Sequence, residues 1–287
     1  SNDDAVYHAP LLNNPATLDP AYVQDIYGVE VVQQLFDGLV RFSPDLFVVP
    51  ALAESWQLED GGRTYRFHLR KDAKFHNGRP VTTEDVVFSL SRLLRVNPPP
   101  TIQPHLLKIA GAKEYQDHKT ERVSGFEIID DNTLLVHLSE PYVPFLVALG
   151  MYQASILPRD EVRENEECFG KSPVGSGPFK FGQWQQDKLI RLERFPEYYK
   201  GPASLDFVDF IIYPGVHIEQ VLADFKNGKL EQMPIFGKIG RSLKGDKDLN
   251  WYHRPSLSIQ FYGINCEHPN LKDPDFREAL SIAINRV

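Results

Sequence analysis

Three places in the 287-residue sequence combine residue types that could do chemistry. Gly175-Ser176-Gly177 sets a hydroxyl between two glycines, as a nucleophile elbow does. The pattern G-x-S-x-G needs glycines two residues before and two after the serine, where Val174 and Pro178 stand instead. No Gly-Lys-[Ser/Thr] follows to make a phosphate loop, so the segment reads as a tight turn in which the glycines supply unusual backbone angles. The nine histidines contain no H-E-x-x-H and no short paired spacing. His76, followed by Asn77-Gly78, reads as a turn residue rather than a ligand. Cys168 and Cys266 are too far apart for a zinc spacing and belong to no disulfide framework; each reads as a small buried hydrophobe, reduced and unbridged. Without a nucleophile–base pair or a metal spacing, the expectation is a protein with no catalytic residues, no metal and no cofactor.

The elements around these residues suggest a mixed α/β chain. Asn13-Asn14-Pro15 and Leu18-Asp19-Pro20 end a first strand and open a loop. Val32, Leu35, Phe36 and Leu39 recur at helical spacing and predict a helix over Val29–Leu39, with Gly38 near its end. After the Gly61-Gly62 turn, Tyr65, Phe67 and Leu69 alternate with Arg66 and His68, as a half-buried strand requires. Thr82 or Thr83 can cap a helix reaching to Arg95, with Glu84 and Asp85 in its first turn and Pro98-Pro99-Pro100 beyond. Its buried stripe is Val86, Val87, Leu90, Leu93 and Leu94. A hairpin turns at Asp130-Asp131-Asn132, and Leu189–Phe195 and Phe207–Tyr213 read as neighbouring strands. A helix carrying Ile218, Val221, Leu222 and Phe225 closes at Gly228. Asp273 and Pro274 start a last helix with Phe276, Ala279, Leu280, Ala283 and Ile284 on one face; its stripe lacks a partner and an ending, so the natural polypeptide is expected to continue.

Composition narrows the function. With 42% hydrophobic residues the chain can build one large core or two smaller ones. No run approaches the roughly 18–20 apolar residues needed to cross a bilayer. A net charge of −8 with no basic stripe argues against nucleic acid as a partner. Trp56, Trp184, Tyr198 and Tyr199 read as packing residues.

Several segments together resemble the oligopeptide/dipeptide-binding family of solute receptors for ABC importers. They are Leu18-Asp19-Pro20, Gln34 to Leu39, and Val49 to Trp56; then Thr64 to Arg70, Lys74 to Gly78 and Pro80 to Leu90, which look like the family's signature region. Gly175 to Phe179, Arg191 to Arg194 with Tyr198 to Gly201, and Phe276 to Leu280 extend the likeness. Asp37 stands where a glutamate is common, and Asn227 to Glu231 follows the pattern only loosely.

The resemblance implies a periplasmic-binding-protein-like two-lobed α/β fold in a chain nearly twice this long, of which this is the N-terminal part. Residues 1–38 and 166–262 would form the first lobe, 39–165 a subdomain inserted in it, and 263–287 the hinge and start of the second lobe. It implies capture of a peptide or similar small solute in a cleft, delivery to a membrane permease, and a periplasmic or lipid-anchored location. The full-length protein would be monomeric. Backbone pairing is the route by which such receptors accept varied peptides. The loop Val23, Gln24, Asp25, Ile26 and the strand Ser258, Ile259, Gln260, Phe261, Tyr262 would line the cleft. The alternative is a ligand-sensing domain of the same fold in a regulatory protein.

Overall fold

A computed structural model describes residues 4–215, 218–235, 243, 245–252 and 261–284. The chain divides into two compact units, 1–234 and 235–287. The elements of the first unit are β1 (Val6–Leu11), α1 (Ile26–Leu35), β2 (Val40–Phe42), β3 (Val48–Pro50), β4 (Ala53–Glu59), β5 (Thr64–Leu69) and α2 (Thr83–Arg92). They continue with the short helices α3 (Gln103–Leu106) and α4 (Ala112–Gln116), the hairpin β6 (Phe126–Asp130) and β7 (Thr133–His137), α5 (Pro144–Ala148) and α6 (Arg159–Glu164). The unit closes with β8 (Phe179–Gln185), β9 (Leu189–Arg194), β10 (Phe207–Ile212) and α7 (Ile218–Lys226).

These strands build two four-stranded sheets and the small β2–β3 hairpin. One sheet has the order β4-β5-β7-β6 and is antiparallel throughout. Tyr65, Phe67 and Leu69 point to its buried face, as their alternation requires. The other has the order β1-β10-β9-β8 and is mixed: β1 runs parallel to β10, with Val6 opposite Phe207, and the remaining pairs are antiparallel. Asp209 lies buried in β10 and is held by a bidentate bond from its register partner Arg191 on β9, at 2.7 and 2.6 Å.

Each sheet owns a hydrophobic core. Leu52, Phe67, Phe75, Leu90, Ile102 and Phe145 centre the first; Leu11, Val31, Leu35, Ile190 and Leu192 centre the second. The chain passes from the second core to the first between Phe36 and Leu39, and returns between Ile156 and Leu157. The two crossings are bonded to each other, the amide of Ile156 donating to the carbonyl of Asp37 at 2.9 Å.

The first helix differs from the expected span of Val29–Leu39. It begins at Ile26, because Asp25 caps it by accepting from the amide of Gly28 at 2.7 Å, and it stops at Leu35. Phe36 is already extended, at φ −129° and ψ 147°. The helical spacing ran on past this point because Phe36 and Leu39 serve two different cores rather than one helical face. The α2 helix is capped as expected by Thr82, in a reciprocal box with Asp85. It ends at Arg92, and the side-chain Nε2 of Gln103 then donates to the carbonyls of Leu93 and Leu94 at 3.2 and 3.3 Å.

In the second unit, α8 (Pro274–Ala283) is capped by Asp273, which accepts from the amide of Asp275 at 2.9 Å. The expected apolar face is exposed, with Phe276 and Leu280 both open to solvent. Cys168 and Cys266 are free, as expected, and both are exposed rather than buried. Cys168 sits on the surface after Glu166 and Glu167, next to Phe169 of the second core.

Candidate functional site: the loop after the first strand

In sheets with parallel strands, ligands are bound at the carboxyl ends of the strands, where loops are free to vary. Here that end of β1 releases the loop 12–25. Asn14 anchors it by accepting from the amide of Asp187, in the β8–β9 turn, at 3.0 Å. Asp19 turns inward and is 3% exposed. Its carboxylate accepts from the amide of Ala21 and from both terminal nitrogens of Arg92, at 2.9 and 2.7 Å, while its carbonyl takes the amides of Tyr22 and Val23. Arg92 lies on α2, so a charge-assisted pair shielded from water ties the loop to the other sheet's helix. Asp25 closes the loop by accepting from the amides of Gly28 and Ala16. The outcome is a rigid loop whose exposed edge consists of Tyr22, Gln24 and Ile26, the last 67% exposed.

The loop residues expected to face a ligand therefore separate. Gln24 and Ile26 are presented to solvent. Val23 is not: its side chain is 1% exposed in the second core, and its carbonyl accepts from the Tyr152 hydroxyl at 2.8 Å. The short spacing between Pro20 and the helix forces alternate residues inward, and Val23 is the apolar one that goes. Asp25 is spent on the helix cap. Ser258, Ile259 and Gln260 lie outside the described residues. Phe261 and Tyr262, in the second unit, are exposed.

A cavity of about 800 Å³ opens beside the loop, walled by Thr17, Asp19 and Tyr22, by Gly170 and Lys171, and by Trp184. Trp184 read as packing, and its ring does pack against the second core. Its indole N–H, however, is buried with no acceptor among the described residues. A β-bulge explains why it is there. The register of β8 against β9 shifts between Phe181 and Gln183, so Trp184 rather than Gln183 takes the core-facing side after Phe179 and Phe181. The glycine at 182 within a strand pattern was the one sequence sign of that bulge.

The hydrolase-like segment is a backbone clamp. Nδ1 of His76 accepts from the amide of Gly175 at 3.1 Å, which leaves the protonated Nε2 to donate to the carbonyl of Gly177 at 3.1 Å. Burial pushes the His76 pKa down to about 4, so the ring is neutral and both nitrogens are committed. The Ser176 hydroxyl between them is fully buried without a hydrogen-bond partner among the described residues, so no serine–histidine pair exists. The flanking glycines do not owe their presence to positive φ, as expected for a turn. They permit close approach: a Cβ on Gly175 would lie 2.0 Å from the carbonyl oxygen of Leu35, and one on Gly177 2.5 Å from that of Gln34. The amide of Gly177 uses that proximity to satisfy Leu35 at the end of α1, at 2.9 Å. Among the described residues no group of three or more His, Cys, Asp or Glu could hold a metal ion. No described helix is long and apolar enough to cross a membrane.

Asp37, the departure noted in the sequence, accepts from the hydroxyls of both Tyr198 and Tyr199 at 2.8 and 2.9 Å. Burial raises its pKa, against the lowering effect of the two tyrosine bonds. The tyrosines thus pack as expected and also hold the crossing between the two cores.

Known proteins of the same kind bear the architecture out. The chain is 31% identical over 266 residues to the dipeptide-binding protein of Escherichia coli, covering 88% of this chain and 49% of that protein. Its fold matches the murein tripeptide binding protein of E. coli with a TM-score of 0.87 at 24% identity, over 99% of this chain and 56% of the other. OppA of Burkholderia pseudomallei gives a TM-score of 0.81 at 25% identity, over 100% and 57%. The chain spans about half the length of the curated relatives it matches. Residues 48–287 match the profile of the bacterial extracellular solute-binding proteins, family 5 Middle, and the chain belongs to that family.

Proposed function

We propose that this chain is part of a receptor that captures a peptide or a similar small solute and delivers it to the membrane permease of an ABC importer, without transforming it. The observation that carries the reading is the family match over residues 48–287, joined by relatives named for dipeptide and oligopeptide binding. Residues 1–38 and 166–262 serve as one wall of a cleft, 39–165 as a subdomain inserted in that wall, and 263–287 as the path toward a second lobe. Gln24 and Ile26 contact the solute from the loop edge, with Ser258, Gln260, Phe261 and Tyr262 as further contacts. An apolar side chain beside an amide suits a ligand recognised through its backbone, with its own side chains left in hydrated space. The protein works at the outer face of the cytoplasmic membrane, in the periplasm or lipid-anchored.

Native mass spectrometry of the 287-residue chain with a mixed library of di-, tri- and oligopeptides tests this. Adducts with the masses of intact peptides, weakened by Ile26→Asp, are expected. Cleaved peptides in the mixture, or adducts indifferent to Ile26→Asp and Gln24→Ala alike, would count against it.

A further inference from the structure

A groove of about 640 Å³ runs along α2, and five arginines line it although no basic stripe exists in the sequence. Two of the five are neutralised. Arg92 is paired with Asp19, and Arg159 with Glu84 at 2.7 Å and Asp85 at 3.1 Å. The other three make no ion pair among the described residues. Arg95 spends its hydrogen bonds on the uncharged carbonyls of Tyr115 and Thr120, and its guanidinium lies 3.6 Å from the Tyr115 ring centre. That fixes the cation in place without cancelling its charge. Arg163 stacks on Phe88 at 5.3 Å, and Arg122 is exposed at the groove's edge. The groove also holds a buried donor in want of an acceptor. The Arg92 side chain is 8% exposed and its Nε–H has no hydrogen-bond partner; the nearest carboxylate, Glu166, is 3.8 Å away, beyond bonding distance. A buried guanidinium N–H left unsatisfied is costly, and native proteins reserve such groups for a reason.

We infer that this groove is a binding site for a small multivalent oxyanion, a phosphate- or carboxylate-bearing molecule, held by Arg95, Arg122 and Arg163 with the Nε–H of Arg92 as the inner donor. Guanidinium forks match the oxygens of such groups, and the aromatic rings under Arg95 and Arg163 hold the forks without competing for their charge. Glu121 and Glu166 stand in the groove wall and would be drawn back or repelled by the ligand. Tyr22 of the loop edge also lines the groove, but Gln24 and Ile26, the proposed solute contacts, do not.

Calorimetry of the 287-residue chain with sodium pyrophosphate and, in parallel, sodium citrate tests the assignment. At least one anion should bind one to one, with affinity that falls as salt rises. The double variant Arg122→Gln/Arg163→Gln, both on the surface, should weaken binding by about tenfold or more, since charge-assisted bonds are lost. Glu121→Gln should tighten it. Stronger binding of pyrophosphate points to a phosphate ligand, and stronger binding of citrate to a polycarboxylate. Heat from neither anion, or equal affinity in the wild type and in a double variant with an unchanged melting temperature, overturns the proposal.

Discussion

The two sheets of the first unit are assembled by different means. The β4-β5-β7-β6 sheet is two local hairpins joined where β5 meets β7, with Thr64 opposite His137, and α2 and the short helices close over it. The β1-β10-β9-β8 sheet needs its first strand to find β10, with Val6 opposite Phe207, before its parallel pair exists. Local pairing has a low loop-closure cost and the distant pairing a high one. The apolar cores hold each sheet together, and besides apolar contacts such as Phe88 of α2 on the second core, the seam between them carries polar pairs: Asp85 with Arg159, Asp19 with Arg92, His76 with Gly175 and Gly177, and Asp37 with two tyrosines. Apolar packing is tolerant of small slides, whereas a fork of hydrogen bonds accepts one geometry, so the seams set how the loop after β1 is held. Some of those seams are ionic and others neutral, and their responses to substitution and pH should differ.

The largest effect is expected at the ionic seam. Asp85 is fully buried and receives bonds from Arg79 at 2.6 and 3.1 Å, from Arg159 at 3.1 Å, and from the amide and hydroxyl of Thr82 at 3.0 Å. Asp85→Ala removes the α2 cap and strands two arginines, and should cost about 3–5 kcal/mol in denaturant unfolding. A loss below about 1 kcal/mol would show that Glu84 and Asp160 take over the arginines.

The neutral histidine seam should answer to pH. The His76 pKa is about 4 in the folded chain against an ordinary 6.5, so the folded state binds fewer protons and acid favours unfolding. Its contribution is complete above about pH 6.5, shrinks as pH falls toward about 4, and amounts to roughly 3 kcal/mol across that window at 1.36 kcal/mol per pKa unit. Comparing the pH dependence of unfolding in wild type and His76→Gln isolates it. Identical slopes in the two would remove His76 from the account.

A backbone contact comes next. Gly175→Ala sets a methyl against the Leu35 carbonyl, so the clamp must shift, at a cost of about 1–3 kcal/mol. The smallest effect is expected at the crossing. Because burial raises the Asp37 pKa, Asp37→Asn should change stability by less than about 1 kcal/mol in acid and become relatively more favourable as pH rises above the ordinary carboxylate range. A large loss at neutral pH would mean that the tyrosines bind a carboxylate charge that asparagine cannot replace.

Much of this protein was legible in its sequence. Caps at Thr82 and Asp273, the alternation in β5, the turn at Asp130-Asp131-Asn132 and the family likeness are local signals, each written within a few neighbouring residues, and each fixes backbone direction or burial by itself. What the fold alone decided depends on residues far apart in the chain. The end of α1 came out four residues short because Phe36 and Leu39 enter different cores. Gly175 and Gly177 lie against Leu35 and Gln34, which no turn pattern could disclose. Val23 turns inward, Trp184 is re-aimed by a bulge, and five arginines from separate segments meet along α2. Periodicity reports which face of an element is apolar, but burial, close approach and summed charge are properties of pairs, and the partner is chosen only when the chain folds.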